Sequence, residues 1–353
     1  MTAQAPVVDW RLAGRTAQRL VRPGPVVSPQ QATEVVAELH DAAGRAELPV
    51  RAVTGLADGV PVPAAQVLDR PRWAAAAATS MGALTGTAVR PGGPGPGLSG
   101  RTAGLQVGVV LSYLASAVLG QYDPFAPATG TDDDSAGGGS LLLVAPNVVA
   151  TERALQVDPA DFRLWVCLHE VTHRVQFTAT PWLVDHMAAT VTTLTTGLDA
   201  PLGELAGRLS GVLRSVAREG TGPDGVVGLL GALQAPPQRE ALQKLMALGT
   251  LLEGHADHVM DAVGPAVVPS VRHIRAGFDR RRARPANPVQ RVLRALLGID
   301  AKIAQYERGK VFVEHVVGRE GMAGFNQVWS SAAALPVDAE ITDPQRWINR
   351  VLA

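Results

Sequence analysis

The sequence has a single cysteine and no excess of either charge. With Cys167 as the one thiol, no intramolecular disulfide can form, which is typical of proteins in a reducing compartment. The 32 lysines and arginines balance 32 aspartates and glutamates, so net charge gives no reason to expect a nucleic-acid or membrane partner. The dense basic segment 280–284 has only Phe278 nearby for base stacking, and we interpret it as a solvated helix end.

The sequence also lacks a long uninterrupted apolar run. Its stretch from Leu105 to Gly120 carries Gln106, Ser112 and Ser116, whereas a membrane span needs about 20 apolar residues. We therefore predict a buried helix there and no membrane partner. The N-terminal residues show no basic segment followed by an apolar run and a small-residue cleavage site. Together with the lone cysteine, this pattern predicts a cytoplasmic location.

What the chain does have is a set of alanine-rich segments typical of helices. Hydrophobic residues make up 46% of its 353 residues, enough for a sizeable core. The apolar runs Leu141–Val144 and Asn147–Val149 are the best strand candidates. The predicted fold class is mainly α with a small β-sheet (α+β). We divide the chain near residue 140, into an N-terminal helical part, 1–140, and a part with the motifs described below, 141–353, within one compact unit.

The segment 165–177 contains the motif His169-Glu170-Val-Thr-His173. Residues four apart lie on one face of an α-helix, so both imidazoles can reach one metal ion. Glu170 lies one position further round the helix, where it can act as a base on a water that the metal activates. Apolar residues flank the motif, which favours a helix inside the core over an exposed helix with two incidental histidines. The pattern predicts a zinc site.

A second polar cluster, within 251–261, offers the remaining ligand. Catalytic zinc takes three protein ligands and leaves one position for water. Glu253 is the predicted third ligand, because Asp257 follows it on the same helix face and can accept a hydrogen bond from the free ring nitrogen of a zinc-binding histidine. His255, which we place beside the ligands, and His258 are rival third ligands, since a third imidazole is chemically just as suitable.

Several segments carry a resemblance to one family. Glu253-x-x-x-Asp257 downstream of the first motif is similar to the gluzincin pattern of thermolysin-type metallopeptidases, although its distance from His173 is longer here. More closely, the chain resembles the bacterial zincin-like family Zincin-2, which is classed among zinc-dependent metallopeptidases and has a branch associated with deazaflavin-coenzyme biosynthesis. The resemblance covers most of the chain. Its segments are Asp69–Trp73, Val118–Asp123, Pro146–Asn147, Phe162–Leu183, Glu253–Ala256, Lys302–Phe312 and the region of Trp347.

The resemblance implies a zincin-like metallopeptidase core embedded in a helical domain. It also implies that a small sheet precedes the zinc helix and that an edge strand of this sheet binds the substrate in extended form. Strand addition uses main-chain hydrogen bonds, so it suits a peptide or protein substrate. Zincins often use a tyrosine or a histidine to donate to the developing oxyanion, and Tyr306 is the residue we assign to this role. The oligomeric state stays open.

The function predicted from the sequence is hydrolysis of a peptide bond with Zn²⁺ as cofactor. His169, His173 and Glu253 hold the metal, and Glu170 is the general base. Two alternatives stay open: a catalytically silent zincin-fold binding or scaffold protein, and a hydrolase of a non-peptide amide linked to deazaflavin-coenzyme metabolism. Glu170 favours catalysis, because a closed structural site has a fourth protein ligand in place of water.

Overall fold

The computed structural model describes residues 8–85, 96–126, 139–195, 236–283 and 299–353. The chain divides into two units, each made of two stretches of sequence. The first unit consists of residues 1–184 and 259–282, and the second consists of residues 185–258 and 283–353.

Helices make up most of the described chain. In chain order they are α1 (Trp10–Leu20), α2 (Pro29–Thr54), α3 (Arg70–Leu84), α4 (Leu98–Leu114), α5 (Ala145–Leu155), α6 (Pro159–Ala179), α7 (Trp182–Thr195), α8 (Pro236–Val263), α9 (Val271–Ala283), α10 (Ile299–Phe325), α11 (Asp338–Thr342) and α12 (Pro344–Val351). Two 3-10 turns, Asn326–Trp329 and Ala332–Ala334, lie between α10 and α11. Within the described ranges, no helix combines the length and the apolar character that crossing a bilayer requires.

The first unit contains a three-stranded mixed sheet with the order β1-β3-β2. The strands are β1 (Gln66–Leu68), β2 (Gly120–Asp123) and β3 (Ser140–Val144). The central strand β3 is buried along its whole length, pairs in parallel with β1 and pairs antiparallel with β2. Strand β2 is therefore an edge of this sheet.

The strand prediction is correct for one of its two segments. Leu141–Val144 lies within β3, as its unbroken apolar run indicates. Asn147–Val149 is not a strand but the start of α5, so that prediction is wrong. Pro146 stands in the first turn of this helix, where its missing N–H and fixed φ favour helix initiation.

Helix α6 lies in the centre of the first unit and packs against α2, α5, β2 and β3. Its apolar side chains belong to one buried cluster with those of α2 and the sheet. Val259, Met260 and Val263, at the C-terminal end of α8, join the same cluster. With apolar neighbours on most sides, α6 is a core helix, as its sequence predicts.

Two buried arginines fix α6 to its neighbours near both ends. Arg163 donates two hydrogen bonds to the carboxylate of Glu152 on α5, at 3.1 and 2.7 Å, and also pairs with Glu38 on α2. Arg174 pairs with Glu47 on α2, and burial lowers the pKa of its guanidinium to about 10. The group therefore remains charged at neutral pH. A buried charge that lost its carboxylate would be costly, so these pairs strongly disfavour displacement of α6.

The second unit brings α8 and α10 into backbone contact at two glycines. A Cβ on Gly309 would lie 2.1 Å from the carbonyl oxygen of Thr250, and one on Gly254 would lie 2.5 Å from the backbone nitrogen of Lys310. Neither position has room for a side chain. Close packing of this kind fixes the helix face that carries Thr250 and Gly254 against α10.

The C-terminal end of the second unit forms a further small core. Phe312 of α10 and Trp347 of α12 are fully buried and meet at right angles, with ring centroids 5.8 Å apart. The indole N–H of Trp347 donates to the carbonyl oxygen of Ala334 at 2.7 Å. Arg350 pairs with Glu340 across the two terminal helices. The region of Trp347 is thus held by packing and by hydrogen bonds together.

The predicted fold class, mainly helical with a small sheet, is confirmed. The long apolar stretch that begins at Leu105 is helical only as far as Leu114, where α4 ends. Its last residue, Gly120, begins β2 instead. The division of the chain near residue 140 stays a prediction.

Candidate metal centre

The helix that carries the motif begins with a defined cap. The Asp158 carboxylate accepts a hydrogen bond from the N–H of Asp161 at 2.9 Å, and Pro159 occupies the first turn. From there α6 runs through both histidines to Ala179. The motif therefore lies in the middle of a long, capped helix, far from ends that fray.

His169 and His173 meet edge to face on α6. Their ring centroids are 4.7 Å apart with an interplanar angle of 87°, and their Nε2 atoms are 3.2 Å apart. Two zinc–nitrogen bonds of about 2.0–2.1 Å at a tetrahedral angle would separate the ligand nitrogens by about 3.3 Å. The histidine pair thus has the spacing that a tetrahedral zinc site requires. Both side chains are half-buried on a helix that is otherwise mostly buried.

His169 and His173 belong to the first unit, and Glu253, the predicted third ligand, belongs to the second. The roles of Glu253, His255 and His258 at the metal stay predictions. Two imidazoles and one carboxylate are a donor set typical of catalytic zinc, so the residues fit the metal.

Glu170 lies against the backbone of the edge strand β2. Its side chain is 7% exposed, and a Cβ on Gly120 would lie 2.6 Å from its Cγ and 2.9 Å from its Cδ. These distances are far below ordinary carbon–carbon contacts of about 3.5–4.0 Å. Position 120 must therefore be glycine for the Glu170 side chain to pack there. Strand β2 and Glu170 can lie this close together because Gly120 has no side chain.

A buried asparagine holds the turn that leads into β2. The side-chain N–H groups of Asn147 donate to the carbonyl oxygens of Ala115 at 2.9 Å and Val118 at 2.5 Å. Its own carbonyl oxygen accepts from Nε of Arg70 at 2.6 Å. The three contacts connect α5, α3 and the turn after α4, so they fix the register at which Gly120 meets Glu170.

The end of β2 is anchored by a second buried polar group. Asp123 is 1% exposed and accepts hydrogen bonds from the Ser80 hydroxyl at 2.5 Å and from the Phe125 N–H at 3.1 Å. Burial raises the pKa of Asp123 above its ordinary value despite these donors. On the opposite face of the strand, the ring of Tyr122 packs 5.7 Å from that of Phe177 on α6. Both ends of β2 are therefore fixed relative to the histidine helix.

Gln176 is a site residue that the sequence analysis missed. Its Oε1 lies 2.9 Å from Nδ1 of His173, and the residue is fully buried. The signal was present in the sequence, because residues three apart share a helix face and a glutamine in that place can reach the ring.

The sequence matches a known protein family. The sequence profile of the zincin-like metallopeptidases called Zincin-2 matches residues 8–348. The chain belongs to this family. The match spans both units and includes the histidine motif, Gly120, Asn147 and Glu253.

A solved structure has a similar fold. A candidate hydrolase with a novel fold from Chloroflexus aurantiacus shares 28% sequence identity with this chain and superposes with a TM-score of 0.66. The alignment covers 97% of this chain and 98% of that one. A search among curated proteins finds no match. The two chains therefore share their fold over nearly the whole length of both.

Two further predicted site residues, His255 and Asp257, have described neighbours within the second unit. His255 is fully buried, with its ring centroid 4.9 Å from that of Phe325 and 5.6 Å from that of Trp329. Asp257 lies 3.8 Å from the ammonium group of Lys310. The Tyr306 side chain lies outside the described residues. Their predicted roles at the metal stay predictions.

Cys167 packs as a small core residue. It is fully buried, and burial raises the pKa of its thiol well above the ordinary value, with a smaller contribution from the charge of Glu170. A thiol in that state is a poor nucleophile and a poor metal ligand.

Proposed function

We propose that the protein is a zinc-dependent peptidase in which His169, His173 and Glu253 hold the metal and Glu170 is the general base. Membership of the zincin-like metallopeptidase family supports the class of reaction. The observation that carries the proposal is the histidine pair on α6, with Nε2 atoms 3.2 Å apart, beside a glutamate packed on an edge strand.

The choice of Glu253 as third ligand starts from the number of ligands that zinc needs. His169 and His173 leave a tetrahedral metal in need of one further protein ligand before the position for water. Asp257 follows Glu253 by four positions on α8 and can support a zinc-binding histidine, whereas His255 packs between aromatic rings. We therefore favour Glu253 over its histidine rivals.

Each of the proposed site residues then has a role in the reaction. A zinc ion at this position supplies Lewis acidity that polarises a substrate carbonyl and makes water reactive near neutral pH. Glu170 accepts the proton of the attacking water and passes it to the leaving amine. Within the described residues β2 is an edge strand, and its outer edge can offer backbone hydrogen bonds to an extended peptide, which would align the scissile bond along the strand that touches Glu170. Tyr306 is our nominee for a donor to the oxyanion.

Zinc content of the full-length chain tests the ligand set. Elemental analysis is expected to find about one zinc per chain in the wild type and in Glu170→Gln, because Glu170 is not a ligand. Zinc should be lost in Glu253→Ala. If zinc is retained in Glu253→Ala but lost in His255→Leu, the third ligand is His255 and not Glu253. Circular dichroism of every variant separates loss of the site from loss of the fold.

Substrate screens test the reaction. We expect the zinc-loaded wild type to cleave members of a peptide library, and Glu170→Gln to bind zinc without cleaving them. Cleavage confined to a panel of small amides would favour the non-peptide amide hydrolase instead. Full zinc loading without hydrolysis in either screen would favour a zincin-fold binding protein. The cytoplasmic location and the association with deazaflavin-coenzyme metabolism stay predictions.

A further inference from the structure

We infer that Gln176 is a positioning residue whose side-chain carbonyl holds the His173 ring in the tautomer that can bind a metal through Nε2. The inference rests on the proposed function, since it concerns how the chain prepares one ligand. It extends the motif by three residues, to His169-Glu170-x-x-His173-x-x-Gln176.

The contact between the two side chains is direct and shielded from water. Gln176 follows His173 by three positions on α6, so both occupy the same face. The distance of 2.9 Å between Nδ1 and Oε1 is within the range of N–H···O hydrogen bonds. Gln176 is 0% exposed, so solvent does not compete for its carbonyl oxygen.

This contact specifies the tautomer of His173. A carbonyl oxygen only accepts hydrogen bonds, so Nδ1 of the ring must be the donor. A neutral imidazole carries one N–H, and Nε2 therefore keeps its lone pair. That nitrogen faces Nε2 of His169 at 3.2 Å, where a shared metal ion would lie. Gln176 thus selects the protonation pattern that metal binding needs.

The consequence for metal binding is measurable. The hydrogen bond of one ring nitrogen determines which nitrogen of a histidine is available as a ligand. Removal of a side chain that hydrogen-bonds a metal-binding histidine typically weakens metal affinity by about 10- to 100-fold. If Gln176 were only a hydrogen-bonded core amide, its replacement would lower stability and leave both the tautomer and the affinity of the site unchanged.

Two substitutions of Gln176 separate these roles. Gln176→Leu keeps most of the buried volume and removes the acceptor, whereas Gln176→Glu keeps an acceptor in the same place. Thr172→Val is the matched control, because Thr172 is fully buried on the same helix and its hydroxyl donates to the carbonyl of Leu168 at 2.7 Å. All variants are full-length chains, and thermal melts report their stability.

Two readouts are recorded for each variant. Zinc affinity comes from competition with a chromophoric chelator, and the tautomer comes from long-range ¹H–¹⁵N spectra of the labelled histidines. We expect Gln176→Leu to lose about 10- to 100-fold in zinc affinity and to populate the Nε2–H tautomer of His173. Gln176→Glu should retain the affinity and the Nδ1–H tautomer, and Thr172→Val should match the wild type in both.

The failure of this inference differs from failure of the proposed function. Wild-type zinc affinity and an unchanged tautomer in Gln176→Leu would overturn the inference while leaving the zinc site intact. A wild type that binds no zinc would overturn the proposed function. In that case the spectra of wild type and Gln176→Leu still decide whether Gln176 sets the tautomer of His173.

Discussion

Replacement of Gly120 by alanine should impair catalysis without removing the metal. The added Cβ would lie 2.6 Å from Cγ and 2.9 Å from Cδ of Glu170. Carbon atoms that are not bonded approach to about 3.5 Å, so the Glu170 side chain must retreat by about 1 Å. A misplacement of about 1 Å can lower the rate about 100-fold. This factor corresponds to about 2.7 kcal/mol in the activation barrier.

The assay is kcat/KM on a peptide from the library screen, with zinc content measured on the same preparation. The atoms nearest to a Cβ at position 120 belong to Glu170, which is not a proposed ligand, so Gly120→Ala should still load about one zinc. Gly44→Ala is the control, because a Cβ on Gly44 meets nothing within 4 Å. It should keep the wild-type kcat/KM.

One result would refute this reasoning. Gly120→Ala that is folded, loaded with zinc and within about twofold of the wild-type kcat/KM would show that Glu170 tolerates the displacement, since a 1 Å shift should cost far more. The contact with β2 would then be packing without consequence for the reaction. A thermal melt excludes the trivial explanation that the variant is partly unfolded at the assay temperature.

Three further predictions concern stability. Gly44→Ala should raise the free energy of unfolding by about 0.5–1 kcal/mol in urea titrations, because this glycine is exposed within α2 and alanine is a better helix former. Gly309→Ala should lower it by about 1–3 kcal/mol or more, since the new Cβ would lie 2.1 Å from the carbonyl oxygen of Thr250; a thermal melt measures the loss. Burial raises the pKa of Glu340, but hydrogen bonds and the charge of Arg350 outweigh it and hold that pKa below 4.5. The pair therefore stabilises the fold above pH 4.5, and its contribution is lost as the pH falls through the lowered pKa, so the stability difference between the wild type and Arg350→Gln should shrink in acid.

Each of these predictions has a contrary outcome. A less stable Gly44→Ala would mean that position 44 has a neighbour or a strain that its surroundings do not show. An unchanged melting temperature in Gly309→Ala would mean that α8 and α10 can separate without cost. A stability difference for Arg350→Gln that stays constant into acid would mean that Glu340 does not titrate with the pair.

The sequence is most informative where the relevant contacts are local. His169 and His173 are one helical turn apart, so their common face follows from helix geometry alone. Gln176 lies one turn further and could have been read by the same rule. The run 141–144 identifies a buried strand because its residues are uniformly apolar. The prediction of a strand at Asn147–Val149 is wrong because the preceding proline begins a helix there.

Other parts of the site depend on contacts between distant residues. Gly120 meets Glu170 across 50 positions of sequence, and a lone glycine does not indicate which side chain will lie on it. Asn147 joins α5 to α3 and to the turn after α4, and its environment is set by the packing of all three. The sequence marks such residues as part of a family resemblance but does not supply their role.

The buried arginine pairs of α6 have an evolutionary consequence. Arg163 and Arg174 hold the helix through Glu152 and Glu47, and none of these four residues is a proposed metal ligand. In small zinc domains the metal supplies the folding free energy, so the fold is lost with the ligands. Here the helix has its own anchors, and descendants of this sequence that lost a ligand or Glu170 would keep a folded scaffold. Such a lineage can lose the proposed activity and retain its shape, which leaves the fold available for binding roles.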